Sequence, residues 1–458
     1  MIILGMVMVV IFSILITYAV RHYGFYWNRM FGKQKRPMQD LAGYYLPSVS
    51  IVVPMHNEEA VAGNILERLA VMDYAKENGH YEVIAIDDGS TDKTGEIVDE
   101  YAGRYPFIRA IHRAGGGYGK ADALQVGSME ARNEILLVFD ADYQPSRACI
   151  KRLVAPFCDP EIGLVMGRVV PINTEQSLMT RLLDLERTGG YQVAQQAKHN
   201  LDLASQYGGT VGGIRKDLLQ TLGGWDPRKL AEDTDITVRA FYNGWRIGYV
   251  NIAECYEESV TSWKERRLQL ARWATGHNQC LLSHLGAVIK SPVLSFLQKF
   301  DGILMLGVYL VPVIMLIGLF LSITVYFFAA FWWWTFFAAL LFTLTYNNIG
   351  NFACFNEVGV GAVLDKRGRV IWLLPWSLFN FFANVWICTG SFVKSLVIHG
   401  NHRAWDAGVT NGHANGNGVN WNKTKKNGST NGNGNGIKWE KTKKNGLTNG
   451  NGNHKGKA

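Results

Sequence analysis

Asp140 and Asp142 form a D-x-D directly after the apolar run Glu134–Phe139. Two carboxylates that close together can hold a divalent ion, because Mg2+ and Mn2+ prefer oxygen ligands and commonly bridge carboxylate to phosphate. Asp87-Asp88-Gly89-Ser90 follows another apolar run, although Asp and Gly also build plain turns. Gly115-Gly116-Gly117-Tyr118-Gly119-Lys120 opens a helical pattern, where free amides and a lysine can face a phosphate. It is no Walker loop, since Ala121 stands where Ser or Thr is required, and its spacing does not suit the dinucleotide fingerprint. Alone it reads equally well as a plain loop. Glu232-Asp233 sits at a helix start. A carboxylate there can serve as general base on a hydroxyl, or simply complement the helix dipole. Gln269 and Arg272 share a helix face at i and i+3, with Trp273 beside them. An arginine can pair with a diphosphate in bidentate fashion and an indole offers a flat face to a sugar. Ordinary interfacial Arg and Trp are the alternative.

These groups need elements to bring them together. Val49–Pro54, Glu82–Asp87, Ile108–His112 and Glu134–Phe139 read as short apolar strands. Helical patterns alternate with them at Ala60–Val71, about Lys93–Tyr105 and from Lys120. That alternation predicts an α/β sheet, largely parallel and covered on both faces. Ligands of such sheets sit outside the carboxyl ends of the strands. Asn57-Glu58, Asp87-Asp88 and Asp140-Ala141-Asp142 all fall at that edge. Further on, Leu164–Pro171 reads as a strand and Gln176 to about Ala204 as a long helix. Glycine-rich Gly208–Gly213, a strand-like Arg246–Val250 and a helix from Ser262 to about Leu285 follow.

The apolar residues are bunched. Met1–Val20 carries no charge, Ile303–Tyr346 is a second uncharged run, and Ile371–Val397 has only Lys394. At about 20 residues per span, the second run is long enough for two. The first run lacks a basic leader and a small-residue cleavage site, so it reads as an uncleaved anchor. Arg21, Arg29, Lys33, Lys35 and Arg36 follow it, which places the next domain in the cytoplasm by the positive-inside rule. The net charge of +8 lies in the tail: from Asn401 on there are ten Lys/Arg and two acidic residues. No nucleic-acid partner is expected. The six cysteines are scattered without C-x-x-C pairs and fit reduced thiols. The expected domains are an N-terminal transmembrane helix at 1–22, a catalytic domain at 45–260 and interfacial amphipathic helices at 261–300. A transmembrane region of two to three spans at 301–398 and an Asn/Gly/Lys-rich tail at 399–458 complete the chain.

In order along the chain, IVVPMHNEE (Ile51–Glu59), IDDGSTD (Ile86–Asp92), GKADAL (Gly119–Leu124) and FDADY (Phe139–Tyr143) resemble the processive family-2 glycosyltransferases. GGTVGGIRK (Gly208–Lys216), AEDTDIT (Ala231–Thr237) and QLARW (Gln269–Trp273) continue the resemblance. That group makes cellulose, chitin, hyaluronan and poly-N-acetylglucosamine. The resemblance covers roughly Pro47–Leu285. It implies an α/β domain of GT-A type flanked by transmembrane helices in the cell (inner) membrane, multi-pass, with inversion at the anomeric carbon. By the same resemblance Pro54, Glu58, Asp87, Asp88, Lys120, Asp140 and Arg272 hold a UDP-sugar. Asp142 with Asp140 binds Mg2+ or Mn2+, Asp233 with Glu232 carries the catalysis, and Trp273, Gln269 and Gly212 meet the acceptor. The family's T-E-D is Ala231-Glu232-Asp233 here, and the cysteine common near the Gly208–Gly213 motif is absent.

The acceptor the resemblance favours is a growing β-linked polysaccharide. A single transfer to a membrane lipid, diacylglycerol or a polyprenyl phosphate, is the alternative, since about four spans give a monomer little helix to line a channel. A homo-oligomer is left open. A non-enzymatic transporter would leave the acidic strand ends unexplained and lacks charges within its spans. The tail repeats W-x-K-T-K-K-N-G at Trp421 and Trp439. It resembles a segment that closes over the nucleotide in relatives, or it touches anionic lipid. Three spans after the domain would carry this tail to the far side, away from any nucleotide.

Overall fold

The computed structural model describes residues 2–76, 80–115, 119–328 and 353–397. Helix α1 (Ile2–Phe31) runs 30 residues, about 45 Å at 1.5 Å per residue. It continues past the expected 1–22 span because its last turns find partners on the domain. Arg21 pairs with Asp301 at 2.6 Å, Phe25 packs with Ala197 and Leu203, and Arg29 Nε donates to the Gln192 carbonyl at 2.6 Å.

The domain then alternates β1 (Val49–Met55), α2 (Ala62–Ala70), β2 (Tyr81–Asp87), α3 (Thr94–Arg104), β3 (Ile108–His112), α4 (Lys120–Glu130) and β4 (Ile135–Val138). Every residue of β1, β2 and β4 is buried, as an apolar run covered on both faces requires. Short β5 (Gln144–Pro145), α5 (Cys149–Val154), β6 (Ile162–Pro171) and α6 (Leu178–Thr188) follow. The long helix expected from Gln176 is broken. After α6 comes a π-helical segment at Gly189–Gln195, then α7 (Gln196–Asn200). Next are β7 (Gly212–Arg215), α8 (Lys216–Thr221), α9 (Glu232–Tyr242) and β8 (Arg246–Glu257).

The strands form one sheet in the order β3-β2-β1-β4-β7-β6-β8-β5. It is mixed, with the parallel pairs expected from the sequence in the majority. β1 pairs parallel with β2 and β4, β2 with β3, and β6 with β8, while β7 runs antiparallel to both β4 and β6. Two glycines let β7 enter this gap. A Cβ on Gly212 would lie 2.4 Å from the Val165 carbonyl oxygen, and one on Gly213 would lie 2.5 Å from Leu137 Cδ2.

The remaining helices are α10 (Trp263–Lys290), α11 (Phe296–Leu306), α12 (Val311–Phe328), α13 (Ala353–Leu364) and α14 (Leu374–Val397). Ser262 caps α10 and Ser295 caps α11, each with a capping box, satisfying amides that would otherwise be orphaned. The region expected to hold interfacial helices, 261–300, thus contains α10 and the start of α11 with a break between them. Among the described residues two helices, Ile3–Phe31 and Gly368–Lys394, are long and apolar enough to cross a membrane, and a third counts if Phe296–Leu306 and Val308–Thr324, bent by 46°, act as one span. The second half of the expected double span and the Trp421 and Trp439 repeats lie outside the described residues.

Helix α13 escapes the sequence reading and is tied closely to the domain. A Cβ on Gly361 would lie 2.8 Å from the Thr188 carbonyl oxygen, and Gly189 faces Val358. The loop after α13 is pinned as well. Asp365 accepts from Arg168 and, at 2.5 Å, from Gln192, while Arg367 pairs with Asp184 and donates to Thr188 at 2.7 Å. From there Leu373 packs with Leu182 and Leu185, Asn380 donates to Glu186 at 3.1 Å, and Cys388 joins Leu270 and Ala274.

Candidate active site

The carboxyl end of the sheet gathers acids from four elements. Lys120, the first residue of α4, places Nζ 2.6 Å from Asp140 Oδ1 and 3.5 Å from Glu232 Oε1. Asp140, just past β4, donates its backbone N–H to Thr210 Oγ1 at 3.0 Å. Gly209, with φ +72, lets the chain pass over the start of α9. A Cβ there would meet Asp233 Cβ at 3.1 Å and Glu232 Oε1 at 3.2 Å. Burial lowers the Lys120 ammonium, but the Asp140 and Glu232 carboxylates outweigh it and hold the group above its usual range.

Asp233 is half-buried. Burial, then the neighbouring Glu232, pushes its carboxyl up to about 7 against the pull of Lys120 and of the Thr234 N–H, 2.6 Å from Oδ1. A carboxylate poised there is a competent base near neutral pH. Asp142 is pushed well above the usual range by burial and by Asp140, Glu58 and Glu257. Its Oδ2 is buried with no hydrogen-bond partner among the described residues. Glu58 is raised to about 8 by burial, Asp140 and Asp92. Acids that suppress one another in this way fit a divalent cation. No cluster of three or more His, Cys, Asp or Glu suited to a metal occurs among the described residues. Asp140 and Asp142 therefore fit an ion that takes one or two carboxylates and completes its shell with other oxygens.

Asp88 is fully buried, with Arg113 Nη1 2.6 Å from Oδ1 and the Gly119 N–H 3.4 Å from Oδ2. Arg113 also pairs with Asp122. Asp87 does not point outward as expected of a ligand residue. Its Oδ1 accepts from Ser90 N–H at 2.9 Å and its Oδ2 lies 3.1 Å from His112 Nδ1. Burial raises the Asp87 carboxyl, but His112 and Ser90 outweigh it and hold it low, while His112 itself is raised to about 9 by Asp87, against burial, and by Asp99. Both oxygens hold the strand end together. Pro54 is buried within β1, opposite Ile86.

On α10, Gln269 is buried and accepts from Arg266 at 3.1 Å, and Arg266 pairs with Glu186 at 2.7 Å. Arg272 has no ion pair or side-chain hydrogen bond among the described residues. Trp273 is not an open platform. The guanidinium carbons of Arg187 and Arg266 lie 5.4 and 5.6 Å from its ring centroid, the distance of a cation–π contact. Gly212, expected at the acceptor, lies inside the sheet, where its missing Cβ serves the packing of β7.

The sequence reading missed several neighbours. Arg187 pairs with Glu257 at 2.8 Å, and the Tyr143 hydroxyl donates to Glu257 at 2.5 Å. Tyr191, in the π segment, is raised to about 12 by burial, against Arg187 and with Glu257 and Asp233 adding to it. Thr234 Oγ1 lies 3.3 Å from Asp233 Oδ1 and 3.1 Å from His277 Nε2. Tyr143 adjoins the D-x-D, but nothing local marks the others.

A mixed sheet with acidic loops at the carboxyl ends of β1, β2 and β4, and a further acidic pair at the start of α9, defines a GT-A fold. Residues 50–222 match the family described as Glycosyl transferase family 2. It is 32% identical over 273 residues to "Probable glycosyltransferase YdaM" of Bacillus subtilis, covering 59% of this chain and 63% of that one. It is 30% identical over 312 residues to "Beta-monoglucosyldiacylglycerol synthase" of Nostoc sp., covering 64% and 62%, and 30% over 263 residues to that of Synechocystis sp., covering 54% and 51%. The chain thus spans less than two thirds of the length of each. The fold is shared with "Mannosyltransferase PcManGT from Pyrobaculum calidifontis in complex with GDP-Man and Mn2+", at TM-score 0.58 and 21% identity over 84% of this chain and 99% of that one.

Proposed function

We propose that this protein is an inverting, membrane-bound glycosyltransferase that moves a hexose or N-acetylhexosamine from a nucleoside diphosphate sugar to a hydroxyl of a membrane lipid. The observation that carries this is Asp233, raised to about 7 in a ring of Lys120, Asp140 and Glu232, on a domain clasped by apolar helices. The relatives named as β-monoglucosyldiacylglycerol synthases support the lipid acceptor. The engaged ring of Trp273 leaves less room to stack a growing chain. The basic residues after Ile2–Val20 support a cytoplasmic catalytic side.

In this reading Asp233 accepts the proton of the acceptor hydroxyl as its oxygen bonds to the anomeric carbon. The bond from that carbon to the diphosphate breaks on the opposite face, which inverts the centre. Lys120 keeps Asp140 and Glu232 in place, and Arg272, without an ion pair among the described residues, meets the charge of the departing diphosphate. Asp142 and Asp140 would hold a Mg2+ or Mn2+, which would supply Lewis-acid stabilisation of that diphosphate. The neighbour's Mn2+ complex supports this choice of ion.

Elongation of a β-linked polysaccharide is the second reading, favoured by Gln269, Arg272 and Trp273 sharing α10. Membranes containing the protein, given single radiolabelled UDP-sugars and then extracted, separate the two. Lipid-soluble product supports the first, and label confined to insoluble polymer overturns it.

A further inference from the structure

On one face of α10 an apolar seam is interrupted by a polar side chain with nothing to bond. Leu270, Ala274 and Asn278 stand at i, i+4 and i+8, so they line one face. Leu270 and Ala274 pack with Cys388, Tyr309 and Ile387. Asn278 is 5% exposed, and its Oδ1 and Nδ2 are both buried without a hydrogen-bond partner among the described residues. Beside it, His277 Nε2 lies 3.2 Å from Gln206 Nε2 and 3.1 Å from Thr234 Oγ1, while its Nδ1 is buried and unpartnered. With the Gln206 amide donating to Nε2, the ring proton sits on Nδ1. Thr234 is in turn 3.3 Å from Asp233. The unpartnered atoms therefore begin one side chain beyond the base.

Each buried polar atom left unpaired is costly, and an apolar residue at 278 would avoid the cost in an otherwise apolar seam. We propose that the acceptor site lies here: Asn278 and His277 bind an uncharged, hydroxyl-bearing lipid headgroup at the end of the packed Leu270–Ala274–Cys388 seam. This rests on the lipid-acceptor reading above. Asn278 offers both a donor and an acceptor, and His277 offers a donor. Hydroxyls, which donate and accept, satisfy all three, whereas a phosphate only accepts and leaves Asn278 Oδ1 unpaired. Lys198, whose field reaches His277, is matched by Asp301 and Glu357 beside Arg21, so no surplus cation calls for an anionic headgroup.

The test uses the full chain in detergent micelles, with dioctanoylglycerol as probe. In Asn278→Leu, the dioctanoylglycerol Kd and the acceptor KM rise about tenfold, the KM for the nucleotide sugar stays put, and the thermal midpoint holds or increases. An unchanged Kd in the folded variant overturns the site, as does a loss of midpoint and kcat with acceptor KM unmoved. If wild type binds dioctanoylglycerol through Asn278 yet makes only polymer, the site stands and the lipid-acceptor reading falls. If lipid is glycosylated with an unaltered acceptor KM in the variant, that reading stands and the site falls. Tighter binding of dioctanoyl phosphatidic acid than of dioctanoylglycerol to wild type overturns the headgroup class.

Discussion

Glu232→Gln should move the acid limb of the pH–rate profile without moving the base itself. Asp233 must be ionised to accept a proton, so activity falls as pH drops through about 7, the value to which burial and Glu232 raise its carboxyl. Glu232 Oε1 and Asp233 Oδ2 lie 3.2 and 3.4 Å from one point above Gly209. At a separation of about 6 Å and an effective dielectric constant of about 20, two like charges repel by about 3 kcal/mol, equivalent to about two pH units. Water reaching a half-buried pair roughly halves this, leaving about one unit. Removing Glu232 also frees Lys120, 3.5 Å away, to act more fully on Asp233, in the same direction. The limb should therefore move down by about one pH unit. The assay is release of nucleoside diphosphate from pH 5 to 9, read as kcat/KM. A limb that stays in place or rises in the variant, or a wild type with no limb near neutrality, refutes the assignment of Asp233.

Asp233→Asn should cut transfer by about a thousandfold or more while nucleotide binding, followed by calorimetry, persists. Because the folded carboxyl lies above its usual value, ionising it costs stability at high pH, so this variant should melt about 2 °C higher than wild type at pH 8 and no higher at pH 5. EDTA should abolish activity and Mg2+ or Mn2+ restore it, with Asp142→Asn raising the metal concentration required; full activity in metal-free buffer refutes the D-x-D assignment. Gly209→Ala should lower kcat about tenfold or more with little change in donor KM, since its φ of +72 strains an alanine and a methyl group 3.1 Å from Asp233 Cβ displaces that side chain. Asp365→Ala should destabilise the chain by about 1–3 kcal/mol in denaturant melts, because the Gln192 side-chain amide loses its acceptor while Arg168 keeps only Glu254 and Arg367 keeps Asp184 and Thr188.

The strands that carry the acids are visible in the sequence because each is a mostly apolar run with Asp or Asn at its end or within two residues of it. Ile108–His112 is found where the pattern places it, and β1 and β2 differ from it by a residue at an end. The mixed sheet is not visible, since antiparallel entry of β7 depends on two glycines that read locally as a loop. Asp87 and Asp88 look equivalent in sequence. Only the three-dimensional placement of His112 and Arg113 gives Asp87 and Asp88 different partners. Thr234, His277 and Glu257 are ordinary residues until tertiary packing brings them near Asp233. Helix α13 is missed because its apolar run is short and ends in Leu364-Asp365-Lys366-Arg367, which looks like a loop exposed to water.

That short charged loop fixes how the apolar helices can move. Asp365 and Arg367 are bolted to α6, the π segment and β6, so α13 and α14 cannot tilt independently of the elements that carry Arg187 and Tyr191. With these helices in a membrane, as proposed above, a change in bilayer thickness or lateral pressure should reach those elements instead of being absorbed by a hinge. Turnover should track the composition of the surrounding bilayer, with no dedicated sensor module required.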